Sequence, residues 1–268
     1  MLDDLKLPPG VAGRVGHHVA GLPVRAHHHV ELEVNLVVRG SATYLLGERR
    51  YRLEPGALTW LFPAQDHVLV DQSADHELWW AVFSPDLVGR VATEPAPLLD
   101  DDPAGSFSRR IPIGMARRLR VLCQEIHPAE DHVVANTGLA YLLALSWQAF
   151  QDSDDVVTGT DVHPAVRAAA QLLQTDPRAG DLPRLARTVG LSPGHLSRLF
   201  KSQTGIPLHR YRNQQRLHRF QLAYGNGEHT TALSAALSAG FGSYAQFYRV
   251  FRAETGHALI PGRPAGER

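Results

Sequence analysis

Short apolar segments with intervening turns fill the first third of the chain. Runs of four to eight residues rich in apolar and β-branched side chains lie at 31–38, 43–46, 58–62, 67–70 and 78–83. Gly-Ser, Gly-Glu, Pro-Gly and Pro-Ala pairs separate them, which predicts short strands joined by tight turns. Residues 20–84 therefore predict a β-sandwich or small barrel. The Pro-, Gly- and Asp-rich residues 93–112 predict a connector.

The spacing of apolar residues becomes helical after residue 112. Apolar positions three and four apart predict a helix from Ile113 to Ile126, which Pro128 ends. The next predicted helix, from about His132 to Phe150, is apolar on most sides and needs cover on more than one face. It either packs on its own barrel or forms a dimer contact. The acidic run 151–161 predicts a flexible linker.

Helical spacing continues through the rest of the chain and contains a repeat. The segments LARTVGLSPGHLSRLFKSQTG (185–205) and AALSAGFGSYAQFYRVFRAETG (235–256) share Ala, Gly, Ser, Arg, Phe and Thr-Gly positions. We call them the first and the second repeat. Each predicts a short helix, a turn at glycine and a longer helix, and a middle helix at about 211–223 joins them. This is the layout of a helix-turn-helix, whose second helix enters the DNA major groove.

The apolar residues of each longer helix predict which side faces DNA. Those at 196, 199 and 200, and at 247, 250 and 251, share one face and predict burial. Ser192, followed by Pro193, suits the N-cap of the first longer helix. Arg matches a guanine edge and Gln an adenine edge, although contact with phosphate is the alternative for each Arg. The outward residues are Gly194, His195, Ser197, Arg198, Lys201 and Ser202, and Tyr244, Ala245, Gln246, Tyr248, Arg249 and Arg252.

The charges of the chain sum to zero but are unevenly divided. Residues 1–162 hold 13 Lys and Arg against 22 Asp and Glu, a net charge of −9. Residues 163–268 hold 14 against 5, a net charge of +9. A basic part joined to an acidic part indicates a polyanion-binding module attached to a module of another kind.

Cysteine content and apolar runs indicate the compartment. Cys123 is the single cysteine of the sequence, so a disulfide within the chain is excluded and a reducing compartment is indicated. The N-terminus lacks the apolar run of a signal peptide, and no stretch of about 20 apolar residues predicts a membrane span. We expect a cytoplasmic protein with no membrane partner.

The basic part resembles the DNA-binding domain of the AraC/XylS family of bacterial transcription regulators. The resemblance covers about 163–256 and rests on both repeats and on YRNQQRL (211–217) between them. It implies an all-α domain with two helix-turn-helix motifs, RNA polymerase as a partner, and activation rather than repression of transcription. The base contacts that it implies are Gly194, Ser197 and Arg198, then Tyr244, Ala245, Gln246 and Arg249. We add the outward His195 and Lys201 to the predicted DNA-binding set.

The sequence departs from this family in the second repeat. Ala232 and Ala235 stand where family members usually carry larger aliphatic side chains. The smaller residues predict a second repeat that is less well packed than the first.

The strand at 31–38 has one polar and one apolar face, because alternate strand residues point to opposite sides. If the polar face lines a barrel, it forms with His67 a pocket for a polar small molecule. Trp60, Trp79 and Trp80 then either add a stacking wall or belong to the core. The polar residues are His27, His29, Glu31, Glu33 and Asn35, and the apolar ones are Leu32, Val34, Leu36 and Val38.

The same segment resembles a cupin motif. Its spacing runs Gly21, His27, His29, Glu33 and Gly40, and a degenerate second block ends at His67. The resemblance implies a cupin-type sensor domain.

Three histidines and one carboxylate of this motif suit a divalent transition metal, and polar pocket lining is the alternative. The set is His27, His29, Glu33 and His67. The sequence establishes no cofactor, and a divalent metal at this set is the one candidate, with a metal-free polar pocket as the favoured interpretation. Two further alternatives stay open: a metal-dependent cupin enzyme that carries a DNA-binding domain, and a constitutive DNA-binding protein whose barrel serves only for dimerisation.

These observations together predict an α+β multidomain protein. Residues 1–98 form a cupin-like β-barrel that senses an effector, and residues 99–160 form a connector and helical segment that is a candidate for dimerisation. Residues 161–268 form an all-α double helix-turn-helix domain. We expect a sequence-specific DNA-binding transcription regulator that is not an enzyme. Its expected partners are double-stranded DNA, a small-molecule effector, RNA polymerase and a second copy of the chain.

Overall fold

Antiparallel pairing organises the N-terminal part of the chain into two sheets. The computed structural model describes residues 7–20, 30–65, 67–92, 97–176, 179, 181–225 and 231–256. Its strands are β1 (Gly13–Val19), β2 (Leu32–Arg39), β3 (Ala42–Leu46), β4 (Arg49–Leu53), β5 (Ala57–Leu61), β6 (His67–Gln72), β7 (Glu77–Phe83), β8 (Ser108–Arg110) and β9 (Thr160–Asp161). One sheet has the order β1-β7-β2-β5-β8, and the other has the order β6-β3-β4-β9.

The five strands predicted from apolar runs are present as β2, β3, β5, β6 and β7. The strands β1, β4, β8 and β9 are not predicted by the apolar runs. The segment GRVGHHV of β1 and the segment RRYRL of β4 are rich in Gly, His and Arg, so neither carries an apolar run. Pairing with a neighbouring strand, which local sequence does not reveal, makes them strands.

The prediction of a flexible linker at 151–161 is wrong. The Arg110 N–H donates to the Asp155 carbonyl at 2.8 Å, and the Val157 N–H donates to the Ser108 carbonyl at 2.9 Å. Residues 160–161 then pair with β4 as strand β9. The acidic side chains stay largely exposed while the backbone completes the edges of both sheets, and a charge pattern alone does not reveal that pairing.

Helices cover the apolar face of the first sheet. After α1 (Pro85–Val91), helices α2 (Ile113–Ile126) and α3 (His132–Gln151) pack on this sheet and on each other. Among the described helices, α3 alone is long and apolar enough to cross a membrane by length and composition. Its inner residues, including Leu139, Leu143 and Phe150, are buried in the core of this unit. Packing on its own sheet, one of the two predicted roles of α3, is therefore observed.

The C-terminal part is helical throughout its described residues. Its helices are α4 (Pro164–Thr175), α5 (Leu182–Thr188), α6 (Pro193–Thr204), α7 (Leu208–Gly225), α8 (Ala232–Ser238) and α9 (Tyr244–Thr255). Every helix that the apolar spacing predicts is present. The chain forms two compact units, one from the described residues of 7–20, 30–67 and 72–161, the other from 162–256 together with 68–71.

A histidine is fully buried in the N-terminal unit, just before β7. His76 is 0% exposed, and its backbone lies so close to Gly40 that a Cβ at that position would overlap it. The His18 ring lies 5.9 Å away. Burial, and to a smaller extent His18, lower the pKa of His76 to about 4. Burial also lowers the pKa of His18.

We expect His76 to make the stability of this unit pH-dependent. The unfolded chain takes up a proton near pH 6.5 whereas the folded chain resists it to about pH 4, so acidification through this range favours unfolding. Urea unfolding from pH 7 to pH 4 should show a stability loss of at most about 3 kcal/mol from this residue. The variant His76→Phe should show a flatter profile, and an unchanged slope in that variant would contradict the assignment.

Candidate DNA interface and effector pocket

The first repeat folds as a helix, a sharp turn and a second helix. Helix α5 is followed by Gly190, whose φ of 76° lies in the region that favours glycine. The Leu191 N–H donates to the Ala186 carbonyl at 2.9 Å and closes the turn. Ser192 Oγ accepts a hydrogen bond from the His195 N–H at 3.3 Å, which caps α6 as the sequence predicts.

The second repeat has the same backbone geometry. Gly240 has a φ of 94°, and the Phe241 N–H donates to the Ala236 carbonyl at 3.1 Å. Ser243 Oγ accepts a hydrogen bond from the Gln246 N–H at 3.1 Å and caps α9. Because the turn, the cap and their hydrogen bonds all agree, the repeat in the sequence is a repeat in the structure.

Both longer helices expose cations along one stripe. The stripe residues are spaced i, i+3, i+4 and i+7, so they lie on one face of each helix. Its cations are exposed, and Ser197 and Tyr248 are half-buried. The predicted DNA contacts His195 and Tyr244 are exposed as well, and Gln246 is half-buried. The stripe is Gly194, Ser197, Arg198 and Lys201 in α6, and Ala245, Tyr248, Arg249 and Arg252 at the matching positions of α9.

Two of the predicted DNA-contacting side chains already form hydrogen bonds within their own repeat. Ser197 Oγ donates to the Pro193 carbonyl at 2.9 Å. Gln246 Oε1 accepts a hydrogen bond from the Gly242 N–H at 2.9 Å, so this amide closes the turn before α9. A bidentate contact with adenine uses both ends of an amide, and the turn therefore competes with DNA for Gln246.

One long helix, α7, carries both repeats. Near its start Tyr211 packs on Phe200 of the first repeat, with ring centroids 5.4 Å apart. Further along, Phe220 packs on Phe247 of the second repeat, with centroids 4.3 Å apart. All four rings are 0% exposed. The 18 residues of α7 span about 27 Å, and this length sets the separation of the two longer helices.

A single guanidinium on α7 bonds to helices on both sides. Arg219 Nη1 donates to the Leu173 carbonyl in the last turn of α4 at 2.8 Å. Its Nε donates to the Ala239 carbonyl, at the end of α8, at 3.4 Å. Carbonyls at helix C-termini carry partial negative charge, so a cation there is favourable. Arg219 therefore links α7 by hydrogen bonds to the C-terminal ends of α4 and α8.

Two further arginines continue the row of Arg219 along α7. Arg216 is 9% exposed and lies 5.8 Å from the centre of the Phe241 ring. Burial, then the charges of Arg212 and Arg219, lower the pKa of Arg216 to about 10. Burial also lowers the pKa of Arg212, against the opposite effect of the Asp181 carboxylate. This row was not among the predicted functional residues, although its spacing at 212, 216 and 219 is helical and visible in the sequence.

The second repeat is not loosely packed, contrary to the prediction from Ala232 and Ala235. Ala235 is 0% exposed and belongs to a core that aromatic rings fill. The ring of Phe247 lies 5.4 Å from that of Phe241 and 5.6 Å from that of Phe251. Bulky side chains from α7, α9 and the turn occupy the space that the alanines leave.

In the N-terminal unit, β2 separates an apolar face from a polar face, as its alternation predicts. Val34 and Leu36 are buried in the core beneath α2 and α3. Glu33 and Asn35 point to the opposite face and are still only 6% and 3% exposed. Buried polar side chains are costly unless hydrogen bonds satisfy them. This buried polar face of the first sheet is therefore a candidate binding surface.

The other predicted pocket residues are only partly within the described chain. Glu31 and His67 are 7% and 5% exposed. His67 Nδ1 lies 3.1 Å from the Gln65 carbonyl oxygen. His27 and His29 lie outside the described residues, so their part in the pocket stays a prediction.

Of the two roles left open for the three tryptophans, stacking wall or core, two of them take the core role. Trp60 and Trp79 are buried in the core beneath the helices, on the apolar face of the sheet. Trp80 lies on the polar face, directly across from Asn35. Gly16 on β1 leaves room for the Trp80 indole, because a Cβ at this position would overlap the ring.

A row of polar residues, not predicted from the sequence, crosses the first sheet. Asn35 on β2 lies opposite Thr59 on β5, which lies opposite Ser108 on β8. The hydroxyls of Thr59 and Ser108 are 2.8 Å apart, and both residues are 1% exposed. Among the described residues none donates a hydrogen bond to Asn35 Oδ1. Strand register, which a sequence does not fix, brings these three residues together.

A tyrosine of the second sheet adds to this polar interior. Tyr44 on β3 is 6% exposed. Burial, and next the Glu33 carboxylate, raise the pKa of Tyr44. The hydroxyl is therefore neutral and lies within electrostatic range of Glu33, which adds a hydrogen-bond donor to the predicted pocket.

The predicted metal site stays a prediction. It includes His27 and His29, which lie outside the described residues. In the ranges that the structure does describe, no group of three or more His, Cys, Asp or Glu side chains is placed to hold a metal ion. Glu33 and His67 are the members of the predicted set that can be located, and both are buried.

Family models match both parts of the chain. A model for an AraC-like ligand binding domain matches residues 17–129, and a model for a helix-turn-helix domain matches residues 185–259. The two ranges together take in well over half of the chain and contain the polar face of β2 and both repeats. The chain belongs to the AraC family of transcription regulators. It is a DNA-binding transcription regulator with a ligand-binding domain.

Solved structures of AraC-like regulators resemble this chain at low identity. ToxT from Vibrio cholerae is 11% identical and aligns over 92% of this chain and 96% of its own, with a TM-score of 0.41. The AraC-like transcriptional activator CuxR is 13% identical over 86% of this chain and 79% of its own, with a TM-score of 0.33. A cupin 2 conserved barrel domain protein from Salinispora arenicola is 20% identical over 32% of this chain and 76% of its own, with a TM-score of 0.27. Likenesses at this level decide neither the fold nor the ligand. The comparison with curated proteins gives no match.

The variant Arg219→Gln tests whether one guanidinium holds this AraC-type DNA-binding unit together. Loss of charge-assisted bonds to two helix ends should lower the free energy of unfolding by about 2 kcal/mol, measured by urea unfolding followed by helical circular dichroism. Arg210→Gln is the matched control on the same helix. Its 3.6 Å ion pair with Glu254 leaves the Arg210 side chain 52% exposed and should contribute less than about 1 kcal/mol. Equal losses in the two variants would contradict the role of Arg219.

Proposed function

We propose that this AraC-family regulator activates transcription in the cytoplasm. Both repeats bind one promoter site on double-stranded DNA, and the barrel responds to a polar small molecule. The observation that carries the DNA-binding part is the duplicated stripe of exposed cations. Arg198 and Lys201 on α6 have counterparts in Arg249 and Arg252 on α9, at the same positions after the same N-cap.

The stripe has two parts with different roles. Arg198 and Arg249 lie in the middle turns of their helices and are the candidates for guanine contacts in the major groove. Lys201 and Arg252 lie one turn closer to the C-terminus and suit phosphate oxygens, which attract cations whatever the base sequence. Gly194 and Ala245 let the backbone near the helix start approach the bases closely, since neither carries a bulky side chain.

The length of α7 supports a single extended site. Its span of about 27 Å, together with the bodies of the repeats, is of the order of the 34 Å turn of DNA. We infer that one chain contacts two successive major-groove segments on one face of the duplex. The site is then asymmetric and about 20 base pairs long.

Arg198→Ala and Arg249→Ala test this arrangement on a site obtained by genome-wide mapping of bound promoters. Each should cost about 1–3 kcal/mol of binding free energy and relax the base preference in one segment. DNase footprints should lose protection at two segments about 10 base pairs apart, one for each variant. The exposed Arg184 on α5 lies outside the stripe, and Arg184→Ala should leave both segments protected.

Two results would overturn the arrangement. Loss of protection at the same segment in both variants would contradict contact by two separate helices. A uniform loss of affinity on every sequence would show that the arginine concerned contacts phosphate and not a base.

The buried polar row supports the effector part of the proposal. Asn35, Thr59 and Ser108 lie side by side on one sheet face, with Glu33 and Tyr44 nearby. A ligand with several hydroxyl, amide or carboxylate groups satisfies such groups better than an apolar one. An effector acts only through a difference in its affinity for two conformations of the regulator.

Glu33→Gln tests the pocket without a change in side-chain size. Compounds that raise the unfolding temperature of the full chain in a thermal-shift screen should raise it much less in this variant, while DNA affinity without ligand stays within a few-fold. Arg52→Gln, an exposed change on β4, is the control and should respond like the parent. An unchanged response of Glu33→Gln would contradict the pocket. Measured metal content of the parent and of His67→Ala decides whether a metal belongs to it.

Dimerisation and contact with RNA polymerase complete the proposal. The outer side of the α2 and α3 pair exposes apolar residues, among them Val121, Val133 and Val134 at 48%, 75% and 62%. Exposed apolar side chains on neighbouring helices support a contact between two copies at this surface. RNA polymerase is proposed as a partner from the family alone.

A further inference from the structure

A cleft lies in the first repeat, between α5, α6 and the start of α7. Its volume is about 440 Å³, which is within the range of small-molecule sites. Apolar side chains from α5, from the start of α7 and from the residue before it form its walls: Leu182, Leu185, Pro207 and Leu208. Ser197 and His209 also line the cleft. Leu185 and Leu208 are 2% and 5% exposed, so these walls are part of the fixed core of the repeat.

Cations stand at the rim of this cleft. Arg198 and Lys201 reach it from α6, and Arg212 reaches it from α7. Asp181 at the start of α5 is the anion that acts on Arg212. Three cations and no carboxylate are among the described residues that line the cleft, so its lining is positive. Arg212 is half-buried, and a guanidinium partly removed from water favours a bound anion more strongly than an exposed one does.

We propose that this cleft binds a small organic anion with one carboxylate and an apolar body of about a dozen atoms. The carboxylate pairs with Arg212 and Lys201 at the rim, and the apolar body lies against Leu182 and Leu208. Inorganic phosphate or a DNA phosphate satisfies the rim but leaves the apolar walls in contact with water. Burial of apolar surface, worth about 25 cal/mol per Å², therefore selects the organic anion.

Binding in this cleft is expected to compete with DNA. Arg198 and Lys201 belong both to the rim of the cleft and to the cation stripe of α6. A carboxylate held there neutralises part of the stripe. The second repeat has Ala232 and Ala235 at the positions of Leu182 and Leu185, so the apolar walls are particular to the first repeat. The competition rests on the proposed DNA contacts, whereas binding in the cleft does not.

Calorimetric titration of the full chain with 4-butylbenzoate tests the site directly. We expect binding at a single site, with no comparable heat from 4-butylbenzyl alcohol or from inorganic phosphate. Arg212→Gln should weaken binding about tenfold, since a hydrogen bond to a charged group is lost. Leu182→Trp fills the cleft without a change in charge and should abolish binding. The controls are Arg184→Gln on α5 and Leu233→Trp on the exposed face of α8, and both should bind like the parent.

Three outcomes would overturn the proposal. They are absence of 4-butylbenzoate binding, equal binding of the alcohol, and unchanged binding in both Arg212→Gln and Leu182→Trp. Circular dichroism and the unfolding temperature of each variant show whether a loss of 4-butylbenzoate binding reflects misfolding. Because the two variants change the cleft in chemically different ways, a folding defect in one of them leaves the other as a test. Displacement of a fluorescent DNA duplex by 4-butylbenzoate is read separately. If 4-butylbenzoate binds but does not displace the duplex, the binding site is supported. Only the proposal that Arg198 and Lys201 serve both the ligand and DNA is then contradicted.

Discussion

The attachment of both repeats to α7 is the constraint on which the DNA-binding unit depends. Each repeat is too small to bury a core alone, and each completes its core with rings from this helix, Tyr211 in one case and Phe220 in the other. Arg219 adds a polar tie to the ends of α4 and α8. Because α7 fixes the distance and the rotation between α6 and α9, the two helices are already positioned when the unit folds. They do not have to be positioned when the unit binds DNA. Less conformational entropy is then lost on binding.

The attachment of both repeats to α7 also explains how the structure accommodates three partly buried arginines on this helix. Three like charges at 212, 216 and 219 repel one another, and burial makes the repulsion stronger. The fold compensates with helix-end carbonyls for Arg219, the Phe241 ring for Arg216 and a nearby carboxylate for Arg212. Each of these partners belongs to a different element. The charges are therefore satisfied only when both repeats are folded around α7, which links the stability of one repeat to that of the other.

The fold and the site could be predicted from the sequence where interactions between residues close along the chain decide the structure. Ser192 and Ser243 before the longer helices, and glycines at matching turns, fix the repeats, and alternation along β2 fixes its buried polar face. They could not be predicted where pairing between strands far apart in the sequence decides the structure. The strands β1 and β4, the pairing of 155–157 with β8, and the polar row from Asn35 to Ser108 all depend on register between segments far apart. The choice between wall and core for Trp60 and Trp79 stayed open for the same reason, because the face they occupy follows from pairing with β2.

The two repeats show how one backbone supports different surfaces. Their turns and caps have nearly the same hydrogen bonds, so the backbone leaves the side chains free to diverge. In the first repeat, leucines on α5 border a cleft beneath the cations of α6. In the second, alanines on α8 are packed against phenylalanine rings, and Gln246 closes the turn before the stripe. The proposed small anion therefore binds the first repeat, which has the leucine-walled cleft, and not the second repeat, which has an aromatic core. Its binding weakens the DNA contacts of the first repeat, while the second repeat keeps its contacts with the other segment of the site.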